Sequence, residues 1–195
     1  VAALVLPRVL REYERQQPDA RIRLTEGLLA TVLPALMEGS LDFALVIADA
    51  AGLPYELDFE ALAPVPAALG GRKGHPLARA RRWAELRDAK WVLNLSSGSQ
   101  GNNLLAWLAQ QGIDAPNNTI HCASPMLMTE MMRRTDCICI GPAQLFGDAL
   151  FGHGIESFAV RPLPPPMSLG LLRLRGVPLS SAAKPLAALF VRYLQ

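Results

Sequence analysis

The sequence predicts an α/β protein in which strands alternate with helices along most of its 195 residues. Short apolar runs, such as residues 41–48, are typical of strands, and apolar residues at helical spacing lie between them. Two proline-containing breaks, near residues 62–66 and at 162–166, interrupt this alternation. The chain is therefore expected to consist of two outer segments and a middle one.

The first outer segment begins with an amphipathic helix, because Leu6, Val9, Leu10 and Tyr13 recur at intervals of three and four. Residues 21–25 alternate polar and apolar, which predicts a strand with one wet face. A second helix is predicted at 29–37, with Gly39 placed to end it. The run 41–48 is short and almost continuously apolar, which predicts a strand buried on both faces of a parallel sheet.

The middle and last segments continue the alternation. A strand at 67–69 and a loop at 70–76 precede a short helix near 83–86 and a strand at 91–95. Further on, the pattern predicts helices at about 100–111, 125–134, 143–150 and 180–194, and strands at about 118–123, 137–140, 155–160 and 168–174. If the outer segments pack together, residues 1–64 and 163–195 form one lobe and residues 65–162 form the other. Ligands commonly bind in the cleft of such a fold, where parallel strands end and helices begin.

Composition excludes several classes of protein. The chain is 51% hydrophobic and 18% charged, which indicates a packed globular protein. A net charge of +2 without a dense basic tract argues against a domain that itself grips nucleic acid, and Arg79, Arg81 and Arg82 are interpreted as a solvated loop. We find no membrane-spanning run and no export signal, and three cysteines do not indicate a disulfide framework. A reducing cytoplasm fits best.

Several short motifs occur in an order and spacing that together are fairly specific. They are Leu6-Pro7, Leu24-Thr25-Glu26-Gly27, Glu38-Gly39-Ser40-Leu41-Asp42-Phe43-Ala44 and Gly74-His75-Pro76-Leu77-Ala78. With these motifs the chain resembles the effector-binding (co-inducer) domain of the LysR-type transcriptional regulators, from about residue 4 onward.

The resemblance implies two Rossmann-like lobes joined by two crossover segments, similar to type 2 periplasmic binding proteins, with a small molecule in the interlobe cleft. It also implies an N-terminal winged helix-turn-helix that binds DNA and is absent from this sequence. The family's domain normally opens with a strand and a ligand-binding loop before the first helix. We expect both to lie outside the 195 residues.

The stretch NLSSGSQGNN, residues 94–103, lies between a predicted strand and a helix. It misses the G-x-S-x-G pattern of a nucleophilic serine because Ser97 stands where the first glycine should be, and no histidine among His75, His121 and His153 is picked out as a base. The P-loop pattern fails because no Gly-Lys-Ser/Thr follows. A helix start with hydroxyls and amides suits an anion, whereas Ser97 or Ser99 could also simply cap the helix. The resemblance favours the anion site.

Two other candidate positions come from turns that the resemblance places at the cleft: Ser124 is either an N-cap or a ligand contact, and Gly141-Pro142 is either a cleft turn or a plain one. Ile47, Ala48 and Asp49 end the strand predicted in 41–48 and are expected at the cleft edge. Cys137 and Cys139 are interpreted as buried small hydrophobes rather than a thiol switch. The predicted ligand-binding residues are Ser96, Ser97, Gly98, Ser99, Asn102, Ser124, Ile47, Ala48, Gly141 and Pro142.

These observations predict the effector-sensing domain of a LysR-type regulator. A solute-binding protein of a transport system is the alternative, and a catalytic use of the cleft is a third option that is less favoured. We expect no enzymatic activity, no cofactor, no metal and no membrane contact. The partners expected are a small organic anion, a homodimer or homotetramer using the helix at 6–15, and DNA only through the absent domain.

Overall fold

A computed structural model of the chain describes residues 2–194, with side chains described from Val5 onward. The helices are α1 (Ala2–Gln16), α2 (Leu29–Met37), α3 (Gln100–Gln110), α4 (Pro125–Arg134), α5 (Ala143–Gly147) and α6 (Ala183–Leu194). The strands are β1 (Ala44–Ala48), β2 (Leu57–Val65), β3 (Ala67–Arg72), β4 (Lys90–Leu93), β5 (Asn118–His121), β6 (Cys137–Pro142), β7 (Ile155–Phe158) and β8 (Met167–Leu174). Short 3₁₀ turns lie at Ala50–Gly52 and Trp83–Leu86.

The strands form two sheets, which confirms the predicted α/β architecture. β1, β8 and β2 form an antiparallel three-stranded sheet, and the other sheet has the order β5-β4-β6-β3-β7. Within the second sheet β5, β4 and β6 run parallel, whereas β3 is antiparallel to its neighbours β6 and β7. The chain crosses from the first sheet to the second between β2 and β3 and returns between β7 and β8.

Each sheet is covered by helices that were predicted from apolar spacing. In the first, α2 packs Leu36 against Leu57 and Leu172, while α1 packs Val9 and Tyr13 against α6. The second sheet has a core of Trp83, Trp91 and Trp107 with the surrounding aliphatic side chains. Trp83 and Trp91 stack nearly parallel, with ring centroids 6.3 Å apart, and the Trp83 indole donates to the carbonyl of Pro162 at 2.7 Å. This bond ties the start of the return segment to the second sheet.

Two predictions for the first segment are wrong: the strand at 21–25, and the parallel pairing and two-sided burial of the strand in 41–48. Residues 21–25 form no ladder, because among the described residues no strand pairs with them, and alternation alone does not make a strand. The run 41–48 was expected in a parallel sheet buried on both faces. Its strand β1 instead pairs antiparallel with β8, its single partner among the described strands, and Ala44, Leu45 and Ile47 are only half-buried. An apolar run indicates burial but not strand direction.

Other differences concern element bounds. β2 was not predicted, although Leu57-Asp58-Phe59-Glu60-Ala61 alternates with a period of two, because Pro54 and Pro64 at its ends favoured a loop. β3 continues to Arg72 through residues expected to form a loop, and α5 ends at Gly147 instead of near residue 150. Within residues 2–194 no helix is both long and apolar enough to cross a bilayer.

His75 is a buried histidine that holds the turn after β3 against the start of β6. Its side chain is 5% exposed, its Nδ1 accepts from the Leu77 amide at 2.9 Å, and its Nε2 donates to the Asp136 carbonyl at 3.2 Å. The Phe158 ring packs against it at 5.3 Å between centroids. Both ring nitrogens are therefore used in structural hydrogen bonds.

We expect His75→Ala to lower the free energy of unfolding by about 2–4 kcal/mol, because it removes two side-chain hydrogen bonds and the packing against Phe158 and leaves a small cavity. Urea unfolding of the variant measures this loss. His153→Ala is the matched control, since His153 is exposed, and it should change stability by less than about 0.5 kcal/mol. Equal effects of the two substitutions would contradict the structural role of His75.

Candidate functional site

Three of the predicted site segments lie along one edge of the second sheet. β5, β4 and β6 are parallel, so their carboxyl ends meet at the same edge. Residues 94–99 follow β4, Ser124 follows β5, and Gly141-Pro142 ends β6. The Cys122 amide donates to the Leu93 carbonyl at 3.0 Å, which keeps the ends of β5 and β4 together. The edge therefore collects backbone turns and small polar side chains.

The turn 94–99 uses most of its hydroxyls internally. Ser99 is the N-cap of α3: its Oγ accepts from the Asn102 amide at 3.2 Å and donates to the Asn94 carbonyl at 2.7 Å. The Ser96 Oγ donates to Asn94 Oδ1 at 2.8 Å, and the Ser96 amide donates to the same oxygen at 3.1 Å. The hydroxyls of Ser99 and Ser96 are thus already used in capping and turn hydrogen bonds. Gly98 has the positive φ of 74° that the turn requires.

The same turn touches the first sheet directly. The Asp49 amide, just after β1, donates to the Gly98 carbonyl at 3.0 Å, and the Ser97 hydroxyl bonds to the Gly52 carbonyl. A Cβ atom added to Gly52 would lie 2.9 Å from both Cα and N of Gly98, so the two backbones are in contact. We call this contact between Asp49–Leu53 and Ser97-Gly98 the latch. It joins the two sheets at the sheet edge that carries the predicted anion site.

Ile47, Ala48, Gly141 and Pro142 lie close to the first crossing between the sheets. Ala48 pairs with Ser168, which on its other side pairs with Pro64. Three residues further on, Ala67 pairs with Pro142. The ends of β1 and β6 are therefore both adjacent to the segment through which the chain passes from one sheet to the other.

The remaining predicted residues, Ser124 and Asn102, take part in helix N-caps. The Ser124 Oγ accepts from the Leu127 amide at 3.3 Å as the N-cap of α4, so its capping alternative has a geometric basis. Asn102 contributes its amide to the Ser99 cap and is itself exposed. No contact described here joins Ser124 or the Asn102 side chain to the first sheet, so their roles as ligand contacts stay predictions.

Sequence reasoning missed Gly52 and Gln100, which belong to this region. Gly52 was passed over as part of a Pro/Gly-rich passage, whereas Asp49 was expected at the cleft edge and also caps the 3₁₀ turn by accepting from the Ala51 amide at 3.1 Å. Gln100, at the start of α3, has a buried side-chain nitrogen, Nε2, without a hydrogen-bond partner among the described residues. A glutamine just after a serine N-cap gives no sequence signal, but a buried unpaired donor is unusual in a folded protein.

The geometry does not favour a nucleophilic serine. A catalytic serine donates its proton to a base, whereas the Ser99 hydroxyl donates to the Asn94 carbonyl. Both ring nitrogens of the buried His75 already have backbone partners. Residues 2–194 contain no group of three or more His, Cys, Asp or Glu side chains arranged to hold a metal ion.

The cysteines lie in the core beside this edge. Cys137 and Cys139 are buried with Val92, Met132 and Ile155, and burial, with smaller contributions from Cys122 and Cys137, raises the pKa of the Cys139 thiol to about 12. A thiol with that pKa is protonated at neutral pH and is a poor nucleophile. This supports their interpretation as small buried hydrophobes.

Comparison with known proteins decides the family. The model of the LysR substrate binding domain matches residues 1–195. This chain belongs to the LysR substrate-binding-domain family. The HTH-type transcriptional regulator GbpR of Azospirillum brasilense is 27% identical over 201 residues, covering 95% of this chain and 55% of that protein. TdcA of Escherichia coli K12 is 23% identical over 137 residues, covering 70% and 44%.

Solved structures agree in fold. The effector binding domain of QuiR, in complex with shikimate, superposes with a TM-score of 0.75 at 15% identity, covering 97% of this chain and 90% of that one. The regulatory domain of CcmR from Synechocystis PCC6803, in complex with 2-PG, gives 0.78 at 14% identity, covering 100% and 93%. This LysR-family domain thus has the type 2 periplasmic-binding-protein-like fold, and it spans about half the length of the curated regulators it matches.

The Ser99 cap generates a stability prediction. Ser99→Ala removes the side-chain oxygen that satisfies the Asn102 amide, so we expect a loss of about 1–2 kcal/mol in the free energy of unfolding. Ser157→Ala is the matched control, because Ser157 is exposed on β7 and caps no helix, and this substitution should change stability by less than about 0.5 kcal/mol. Thermal and urea unfolding of both variants measure the difference, and the reverse order would contradict the assigned roles.

Proposed function

We propose that this chain is the effector-sensing domain of a LysR-type transcriptional regulator that binds a small organic anion between its two sheets. The latch is the observation that carries the proposal, because it is a small, direct contact between the sheets at the edge where the strand-end turns converge. In this proposal a winged helix-turn-helix outside this sequence binds DNA, and ligand binding to the present domain changes its DNA binding. The domain itself is a sensor and not an enzyme, and it acts in the cytoplasm.

The proposed mechanism is a change in the latch. When the sheets are close, the Asp49 amide bonds to the Gly98 carbonyl and the Ser97 hydroxyl bonds to the Gly52 carbonyl. An anion accepting from the Ser97 hydroxyl competes with the Gly52 carbonyl. A ligand that binds one arrangement more tightly shifts the population toward it, by no more than the difference in its two affinities.

Neutral donors make an organic anion the proposed effector. Ser97 Oγ and Gln100 Nε2 lie at the start of α3, where free amides carry partial positive charge, and no arginine occurs in residues 94–103. Ser124, Ile47, Ala48, Gly141 and Pro142 complete the proposed site from the neighbouring strand ends. Similar domains were solved with shikimate and with benzoate, which are both carboxylates, and this supports the same class of ligand.

We further propose that the two sheets define two lobes, residues 1–64 with 163–195 and residues 65–162. Boundaries at these points are supported by the crossing beside Pro64 and by Pro162, whose carbonyl accepts from the Trp83 indole. A homodimer or homotetramer would pass the closure of the lobes on to the DNA-binding domains. Met126 and Leu127 on α4, 69% and 59% exposed, offer an apolar surface, and the outer face of α1 carries the exposed Arg8 and Arg11.

A solute-binding protein of a transport system is the second candidate, since it uses the same fold. The DNA encoding the residues before Val1 distinguishes the two: a helix-turn-helix supports the regulator, and an export signal or lipid anchor supports the transporter. The regulatory relatives favour the first candidate.

A thermal-shift screen of organic acids tests the anion site. A ligand that binds the folded state raises its apparent stability with concentration. For ligands found in this way, we expect Ser97→Ala to weaken binding by about tenfold, measured by calorimetry, because one hydrogen bond to a charged group is lost. Ser157→Ala on the exposed side of β7 is the matched control. Unchanged affinity of Ser97→Ala for every such ligand would overturn the proposed site.

Gly52→Ala tests the latch itself. The added Cβ meets the backbone of Gly98 at 2.9 Å, so we expect the sheets to separate and the Asp49 amide to exchange its hydrogen at least about tenfold faster. The control is Gly147→Ala, whose Cβ would meet nothing within 4 Å. Native-state hydrogen exchange measures both, and an Asp49 amide that stays equally protected in Gly52→Ala would contradict the mechanism.

A further inference from the structure

A cavity lies on the first sheet, beside the latch. It has a volume of about 360 Å³, near the lower end of typical small-molecule sites, and the side chains that matter to the argument are Ala50, Leu53, Leu57, Phe59, Tyr55 and Arg175. None of them is among the proposed anion-site residues. We call it the Arg175 cavity.

The cavity combines an apolar surface with a single charge. Leu57 is buried and Phe59 is half-buried, whereas the Tyr55 side chain is 79% exposed and its ring lies 4.5 Å from the Arg175 guanidinium carbon. Arg175 is the one charged residue among those lining the cavity. An aromatic ring of a ligand, placed between Phe59 and Tyr55, would therefore bury apolar surface next to the Arg175 cation.

The Arg175 guanidinium is only partly satisfied. One nitrogen donates to the Leu57 carbonyl at 3.0 Å, and Nε lies 3.4 Å from Asp58 Oδ1. Asp58 is also 3.6 Å from Arg173, so one carboxylate is shared by two guanidiniums, both beyond the roughly 2.9 Å of a strong charge-assisted bond. Glu56 and Glu60 flank Asp58 in sequence, but neither lines this cavity. A carboxylate ligand can therefore form a closer pair with Arg175 than Asp58 does.

From this geometry we propose that the Arg175 cavity is a second ligand site, for an aromatic carboxylate of one ring, and that it is coupled to the latch. Ala50 and Leu53 form part of its wall, and both lie in the segment whose Asp49 amide and Gly52 carbonyl bond to Gly98 and Ser97. Leu53 also packs against Gly98, since a Cβ atom added to Gly98 would lie 3.0 Å from the Leu53 side chain. A ligand in the cavity braces this segment and stabilises the latch.

Calorimetry with phenylacetate and its neutral amide, phenylacetamide, tests the site on the 195-residue chain. We expect phenylacetate to bind with a dissociation constant on the order of 1 mM and the amide to bind at least about tenfold more weakly. Arg175→Gln should remove this preference for the acid, whereas Arg87→Gln, an exposed arginine elsewhere, should keep it. Ala50→Leu, which fills the cavity but leaves Arg175 in place, should weaken both ligands.

Other outcomes overturn the proposal. The proposal is wrong if phenylacetate and phenylacetamide bind equally, or if neither shows saturable binding. It is also wrong if the Arg175→Gln variant still prefers phenylacetate. Binding that is lost in Ser97→Ala but kept in Arg175→Gln assigns phenylacetate to the anion site instead. For the coupling, saturating phenylacetate should slow hydrogen exchange of the Asp49 amide, and unchanged exchange refutes it. The regulatory meaning rests on the proposed function, but these readouts fail independently of the Ser97 test.

Discussion

The contact between the backbones of Gly52 and Gly98 sets how closely the two sheets approach. Any side chain at position 52 would lie 2.9 Å from main-chain atoms of Gly98, and main-chain atoms cannot move aside as a flexible side chain can. Gly98 also has a φ of 74°, which residues with a side chain rarely adopt. Two glycines from distant parts of the chain therefore permit one close approach, and the Asp49 and Ser97 hydrogen bonds depend on it.

The same contact changes the interpretation of NLSSGSQGNN. The sequence left an anion site and a helix cap open, and the structure divides the serines between roles. Ser99 caps α3 and Ser96 bonds to Asn94, whereas the Ser97 hydroxyl points to another part of the protein. The path of the backbone around Gly98 determines which serine caps the helix and which one bonds across to the first sheet. The residue types alone do not determine that path. The sequence predicted this turn as a candidate site, but it did not show which serine would make which hydrogen bond.

Much of the fold follows from local patterns, and the failures share one cause. α3, α4 and the parallel strands β4 to β6 were predicted within a few residues because apolar spacing and capping serines are local signals. The strand at 21–25 and the parallel direction of the run 41–48 were wrong, since both depend on which strand lies alongside. β2 was missed because prolines at its ends outweighed a clear alternation. The bulge between Ala61 and Ala63, and an edge position next to β8 alone, accommodate Pro64.

A latch made of few bonds suits a sensor. A hydrogen bond contributes only about 0.5–1.5 kcal/mol net, so the Asp49 and Ser97 bonds together hold the sheets with an energy comparable to typical couplings of 1–3 kcal/mol between sites. A ligand of ordinary affinity can therefore shift the balance, whereas a large apolar interface between the sheets would resist it. Because coupling is reciprocal, whatever tightens the latch from the Arg175 cavity must also change the affinity of an anion held at Ser97. The short segment from Asp49 to Leu53 contacts both places, and under the two proposals it is the physical route by which one ligand would change the affinity of the other.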